Sequence, residues 1–122
     1  MAKVLIIDDD QSMQSLYQRI FSLEGFEVKV ATGGVAGLEQ AQSFQPDVIL
    51  LDMMMPGVNG LEVLGKLKAD DKVKHIPVIV MSNYSELSIT THAMQLGASQ
   101  YLVKSDIEPS ELVSVVRATL AK

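Results

Sequence analysis

Lys3-Val4-Leu5-Ile6-Ile7-Asp8-Asp9-Asp10 decides how the rest of the chain is read. Lys3 to Ile7 is a short β-branched run without polar alternation, which suits a strand buried on both faces, as in a parallel sheet. The three carboxylates end it well short of a cleavable leader or a membrane span. Downstream, Met13, Leu16, Tyr17, Ile20 and Phe21 form one helical stripe, and Gly25 follows where a left-handed terminating residue is favoured.

The same strand-then-helix unit recurs along the chain. Glu27 to Ala31 reads as a strand and Val35 to Phe44 as a helix opened by Gly33-Gly34. Asp47 to Leu51 is a wholly apolar strand after the breaker Pro46. Leu61, Leu64 and Leu67 stripe a third helix, and Pro77 introduces the strand Val78-Ile79-Val80-Met81. Ile89, Ala93 and Leu96 stripe a fourth helix closed by Gly97. Gln100 to Val103 is a weaker strand, and Pro109 opens a last helix carrying Leu112, Val115, Val116 and Leu120. Five strands alternating with five helices predict a doubly wound α/β fold with a parallel sheet and helices on both faces.

The 122 residues are expected to form one domain, residues 1–122. Cys is absent, which agrees with a reducing compartment, and a cytoplasmic location is expected. With 48% hydrophobic and 20% charged residues the chain is too apolar for disorder. A formal charge of −5 argues against a direct nucleic-acid surface, which needs a concentrated basic face.

Ligands of open α/β sheets bind beyond the carboxyl ends of the strands. Strand one ends in Asp8-Asp9-Asp10, strand three in Asp52, strand four in Ser82 and strand five in Lys104, whereas the second strand end, Thr32, looks unremarkable. Each has an ordinary structural reading: the acidic triplet as a helix cap, Asp52 as a turn residue, Ser82 as a cap, Lys104 as a solvated lysine. Their common placement on one sheet edge favours a site. Asp8 and Asp9 are adjacent and converge only if the strand ends there and turns into a helix. With Asp52 they offer hard oxygen ligands without Cys or a His pattern, which suits Mg²⁺ and argues against zinc. Clustered carboxylates raise each other's pKa, so a metal or Lys104 must compensate.

The whole chain resembles the response-regulator receiver domain of two-component signalling, in its single-domain form. The resemblance rests on Val4 to Asp10, on Asp47 through Asp52-Met53-Met54-Met55-Pro56-Gly57 to Gly60, on Val80-Met81-Ser82, on Gly97-Ala98 and on Tyr101-Leu102-Val103-Lys104. It implies the flavodoxin-like strand order 2-1-3-4-5. It implies that Asp52 accepts a phosphoryl group from a sensor histidine kinase or phosphotransfer protein. Asp9 and Asp52 would ligate Mg²⁺ directly, Asp8 through a water and Met54 through its backbone carbonyl, since a thioether does not suit Mg²⁺. Lys104 and Ser82 would bind phosphoryl oxygens. Ser82 and Tyr101 would form a switch that reshapes the face of helix four, strand five and helix five toward a downstream protein. The implied role is that of a signalling phosphoprotein, not a turnover enzyme, acting as a monomer or a weak phosphorylation-dependent dimer with no membrane insertion.

Two positions depart from the family pattern. Members usually follow the lysine with a cis proline, whereas Ser105 follows Lys104. A cis bond before a non-proline residue costs about 2.5–4 kcal/mol, so this loop is expected to be remodelled or strained. Asn83 replaces the usual small residue after Ser82 and is expected to restrict access to the site. His75 and His92 are expected at solvent, the run Met53 to Met55 as adaptable packing beneath the site, and Phe21, Phe26 and Phe44 in the core.

Other readings are weaker. A haloacid-dehalogenase-type hydrolase would need a second carboxylate where Met54 stands, and a flavin-binding domain would need a phosphate-cradling loop where three negative charges stand. A phosphorylation-independent interaction module, or the receiver half of a longer DNA-binding regulator, are the alternatives that keep the same fold.

Overall fold

The computed structural model describes residues 1–53, 59–83 and 87–121. Among them, β1 (Lys3–Ile7), β2 (Glu27–Ala31), β3 (Val48–Asp52), β4 (Val78–Ser82) and β5 (Gln100–Val103) alternate with α1 (Gln11–Leu23), α2 (Gly34–Phe44), α3 (Gly60–Ala69), α4 (Leu87–Gln95) and α5 (Pro109–Leu120). All strand pairs are parallel, in the order β2-β1-β3-β4-β5. The expected doubly wound α/β fold is therefore present. Strand boundaries move in two places: β3 runs on to include Asp52, while Asp47 stays outside it and accepts a 2.7 Å hydrogen bond from the Lys3 amide, and β4 runs on to include Ser82.

Every residue of β3 and β4 is buried, so these strands carry side chains on both faces into a core. Alternation along the strands divides that core in two. Leu5, Ile7, Ile49, Leu51, Val78 and Val80 pack with Phe44, Leu64 and Ala93 on the side of α2, α3 and α4. Val4, Ile6, Val48, Leu50, Ile79 and Met81 pack with Tyr17, Phe21, Leu112 and Val116 on the side of α1 and α5. Phe21 meets Phe26 edge to face at 5.3 Å, and Phe44 is also buried, as expected.

Local chemistry fixes the ends that frame the site. Asp10 caps α1, its carboxylate accepting from the Ser12 and Met13 amides. That satisfies donors the helix leaves open. Gly25, at φ 90°, closes α1 in the left-handed region. Asn59 caps α3 by accepting from the Leu61 amide at 3.0 Å. Gly60 follows, where an added Cβ would stand 2.9 Å from Met53 Cα, so glycine is required for the chain to pass this close to the end of β3. Leu16, expected on the buried stripe of α1, is 40% exposed instead; the packed face of that helix centres on Tyr17 and Phe21.

An acidic site at the carboxyl edge of the sheet

The register sets Ile6 beside Leu50 and Ile7 beside Leu51, so the next rung places Asp8 and Asp52 at one edge. Asp8 and Asp52 are both buried, and Asp9 is half-buried. One carboxylate oxygen from each of the three lies within 4.8 Å of the others. The end of β1 thus turns two adjacent carboxylates toward one point, as the sequence requires. Asp10, the third of the triplet, faces away and serves as the α1 cap.

Lys104 enters this cluster from beyond β5. Its Nζ stands 3.1 Å from Asp52 Oδ2 and 3.6 Å from Asp8 Oδ2, with the lysine side chain only 14% exposed. The departure at Ser105 is absorbed by a 3₁₀ turn over Lys104–Asp106, and no peptide bond among the described residues is cis. The loop is remodelled, and the lysine still reaches the carboxylates.

Asp8 Oδ1 accepts from the Asp10 amide at 2.9 Å, but Asp8 Oδ2 has no hydrogen-bond donor, since 3.6 Å to Lys104 is too long for one. Burial pushes the Asp8 carboxyl up to about 6, with the Asp52 charge adding to the rise and the Asp10 amide and Lys104 opposing it. A buried carboxylate oxygen without a donor, among three hard oxygen donors, fits a divalent cation with oxygen preference.

Ser82 ends β4 fully buried, on the α2–α4 side by strand alternation. Tyr101, half-buried in β5, packs against the same core. Asn83 is exposed, as are His75 and His92, which agrees with the absence of ligand spacing around the histidines. Met53 packs against the α2–α4 core, as expected of adaptable filling. The expected backbone ligand, Met54, lies outside the described residues.

Three further residues stand around the site. Gln14 donates from its side-chain amide to the Asp8 carbonyl and, at 3.1 Å, to Thr32 Oγ1, tying the ends of β1 and β2 together. Thr32 is therefore not incidental. Tyr17, three residues on, is 6% exposed, and its hydroxyl is pushed up to about 12, chiefly by burial and then by the charges of Asp8 and Asp52. The sequence signal for it was a tyrosine on a buried stripe, whose hydroxyl needs a polar neighbour.

Residues 4–117 match the response regulator receiver domain family. The chain belongs to this family. As a receiver domain it serves as a phosphoacceptor in two-component signalling. It is 34% identical over 123 residues to the DNA-binding dual master transcriptional regulator RpaA of Synechocystis, covering all of this chain and 50% of that protein. It is 35% identical over 102 residues to sporulation initiation phosphotransferase F of Bacillus subtilis, covering 84% of this chain and 81% of that one. The receiver domain thus spans about half the length of RpaA and of the DNA-binding regulator MtrA, which is also similar to it. Among solved structures, it superposes on a CheY-like receiver domain from Methanospirillum hungatei with a TM-score of 0.91 at 25% identity, over 99% of this chain and 94% of that one. Chemotaxis protein CheY4 of Vibrio cholerae gives 0.89 at 28% identity, over 97% and 98%. The shared sheet order confirms the flavodoxin-like topology that the resemblance implies.

Proposed function

We propose that Asp52 is the residue that takes the phosphoryl group, and that the domain spans residues 1–122. The observation that carries this is the buried Asp52 carboxylate held 3.1 Å from the Lys104 ammonium, inside a cluster of three carboxylates. A carboxylate oxygen of Asp52 attacks phosphorus as the bond from phosphorus to the donor's imidazole nitrogen breaks. The imidazole leaves with that electron pair and is then protonated by solvent. Lys104 neutralises charge on the phosphoryl oxygens as the metaphosphate-like transition state forms, and the Ser82 hydroxyl donates to another oxygen.

Asp9 and Asp52 directly, Asp8 through a water, and the Met54 carbonyl are the groups that would hold Mg²⁺. When bound, Mg²⁺ supplies positive charge that offsets the three carboxylates and the incoming phosphate. Lys104 and Asp8 then hold the acceptor oriented, and burial of Asp52 limits water access. After transfer, the Ser82 hydroxyl turns toward the new oxygens and Tyr101 turns into the space beside it, altering the face of α4, β5 and α5.

The donor is a sensor histidine kinase or phosphotransfer protein and the recipient of the signal a downstream protein, without direct nucleic-acid contact by this domain. It works in the cytoplasm as a monomer or weak phosphorylation-dependent dimer, slowly losing its phosphate and turning over no small phosphoester. No helix among the described residues is long and apolar enough to cross a membrane. Incubation with Mg²⁺ and acetyl phosphate, read by intact mass, should add one phosphoryl group to the wild type and none to Asp52→Ala. A folded Asp52→Ala protein that still labels would refute the assignment.

A further inference from the structure

The last rung shared by β1 and β2 pairs Ile7 with Ala31. One residue on, the Asp8 amide still donates to the Ala31 carbonyl at 3.1 Å. In a continuing parallel ladder the Asp8 carbonyl would accept from β2 two residues further along, at Gly33. Gly33 instead stands at φ 94° and opens α2, its carbonyl accepting from the Gly37 amide, so the second strand has turned away. The Asp8 carbonyl takes its donor from the Gln14 side chain, whose amide also donates to Thr32 Oγ1 at 3.1 Å. One amide nitrogen carries two hydrogens and can serve both acceptors, and a carbonyl can only accept, so the nitrogen end of Gln14 faces Asp8.

Gln14 reaches this carbonyl for reasons local to α1. Its backbone amide donates to the Asp10 carbonyl at 2.9 Å, in the first turn of the helix. Helical side chains lean toward the N-terminus, so a long side chain one turn past the cap falls back over the end of β1. The carbonyl it holds belongs to the peptide that joins Asp8 to Asp9, and a planar peptide carries the Cα atoms of both residues. Turning that plane swings both carboxylates. In a continuing strand they would point to opposite faces, whereas here each offers an oxygen within 4.8 Å of the other and of Asp52. The Asp10 amide holds Asp8 Oδ1 at 2.9 Å, and Gln14 holds the peptide behind it.

Resting on the reading of Asp8, Asp9 and Asp52 as the groups that hold Mg²⁺, we propose that Gln14 is a positioning residue: bridged to Thr32, it fixes the peptide between Asp8 and Asp9 so that the two carboxylates converge on the cation.

Gln14 and Thr32 are uncharged, so their contribution is one of geometry and not of field. Gln14→Met keeps the length and the helix propensity and removes the amide. Thr32→Val keeps the shape and removes the hydroxyl, while Thr32→Ser keeps the hydroxyl. Mg²⁺ dissociation constants are measured by titration calorimetry at neutral pH, with circular dichroism melts of the metal-free proteins in parallel. Groups that orient metal ligands from behind are worth about 10- to 100-fold in affinity, and Gln14→Met should weaken Mg²⁺ binding by about 10-fold. Thr32→Val should weaken it less and Thr32→Ser should restore it. Because Thr32 acts through the glutamine, the double variant Gln14→Met with Thr32→Val should bind as Gln14→Met does alone.

A folded Gln14→Met protein that binds Mg²⁺ within about 2-fold of wild type, even one that melts lower, would show that the bridge serves the fold alone. Additive losses in the double variant, or equal losses in Thr32→Val and Thr32→Ser, would likewise overturn the bridge as the means of positioning. Should Gln14→Met fail to fold, the comparison of Thr32→Val with Thr32→Ser decides. A wild type that binds no Mg²⁺ would instead remove the metal reading, and this inference with it.

Discussion

Lys104 Nζ stands 3.1 Å from Asp52 Oδ2 although serine, and not proline, follows it in the chain. A 3₁₀ turn over Lys104–Asp106 delivers the ammonium by a trans backbone. Replacing Lys104 with Met should leave the fold intact in the presence of Mg²⁺ but slow acetyl phosphate labelling by about 10-fold or more, as loss of one charged transition-state partner does. Labelling at the wild-type rate would exclude Lys104 from the transfer step.

Three carboxylates with oxygens within 4.8 Å repel one another. Millimolar Mg²⁺ should therefore raise the melting temperature at neutral pH, because a ligand that binds only the folded state stabilises it by mass action. Asp9→Ala should melt no lower than wild type without metal and should lose most of the Mg²⁺-dependent rise. An undiminished rise in that variant would place the metal elsewhere.

Asn83 is exposed beside the buried Ser82. If its side chain limits entry of phosphodonor or attacking water, Asn83→Ala should change both the labelling rate and the lifetime of the phosphorylated form. Equal rates in the two proteins, measured by loss of the added mass over time, would end that idea.

Asp70 follows α3 and accepts from the Lys72 amide at 2.8 Å and the Gln42 side chain at 2.6 Å. The Lys72 amide first, and Gln42 second, hold its carboxyl below the ordinary value of 3.8. A depressed folded-state pKa stabilises the fold above the unfolded value and loses that effect as pH falls through the folded one. Asp70→Ala should therefore melt lower than wild type at neutral pH, with the gap closing in acid below about pH 4. A pH-independent gap would point to lost packing instead.

Phe21 is fully buried between α1 and the sheet, edge-on to Phe26. Phe21→Ala should cost about 3–5 kcal/mol by urea unfolding, from lost transfer energy and the cavity left behind. A cost below about 1 kcal/mol would mean that the α1 side of the core relaxes into the space.

The central strands were legible because both faces of β1, β3 and β4 are covered, so burial writes an uninterrupted apolar run that no surface element shares. The acidic edge was legible for the same reason: a carboxylate directly after such a run has nowhere to stand but the sheet's rim. Periodicity failed where it could not tell degrees of burial. Leu16 fits the stripe of α1 yet is exposed, whereas Tyr17 and Phe21 are buried and Met13 and Ile20 pack beside them against the α1–α5 core. Thr32 carried no local signal, because its role depends on Gln14 from a different element. Asp47 was placed in β3, but its carboxylate engages the Lys3 amide across 44 positions, a partner that spacing along one segment cannot reveal.

The division of the core into two bodies that share only the sheet has a consequence for how such a domain diversifies. Residues that do not touch contribute to stability almost additively, and few side chains cross from one body to the other. Substitutions around Phe21, Leu112 and Val116 can retune the α1–α5 half while leaving the packing of Leu64, Ala93 and Tyr101 in place. The proposed output face takes α4 from one half and α5 from the other, so a change in either body can alter it.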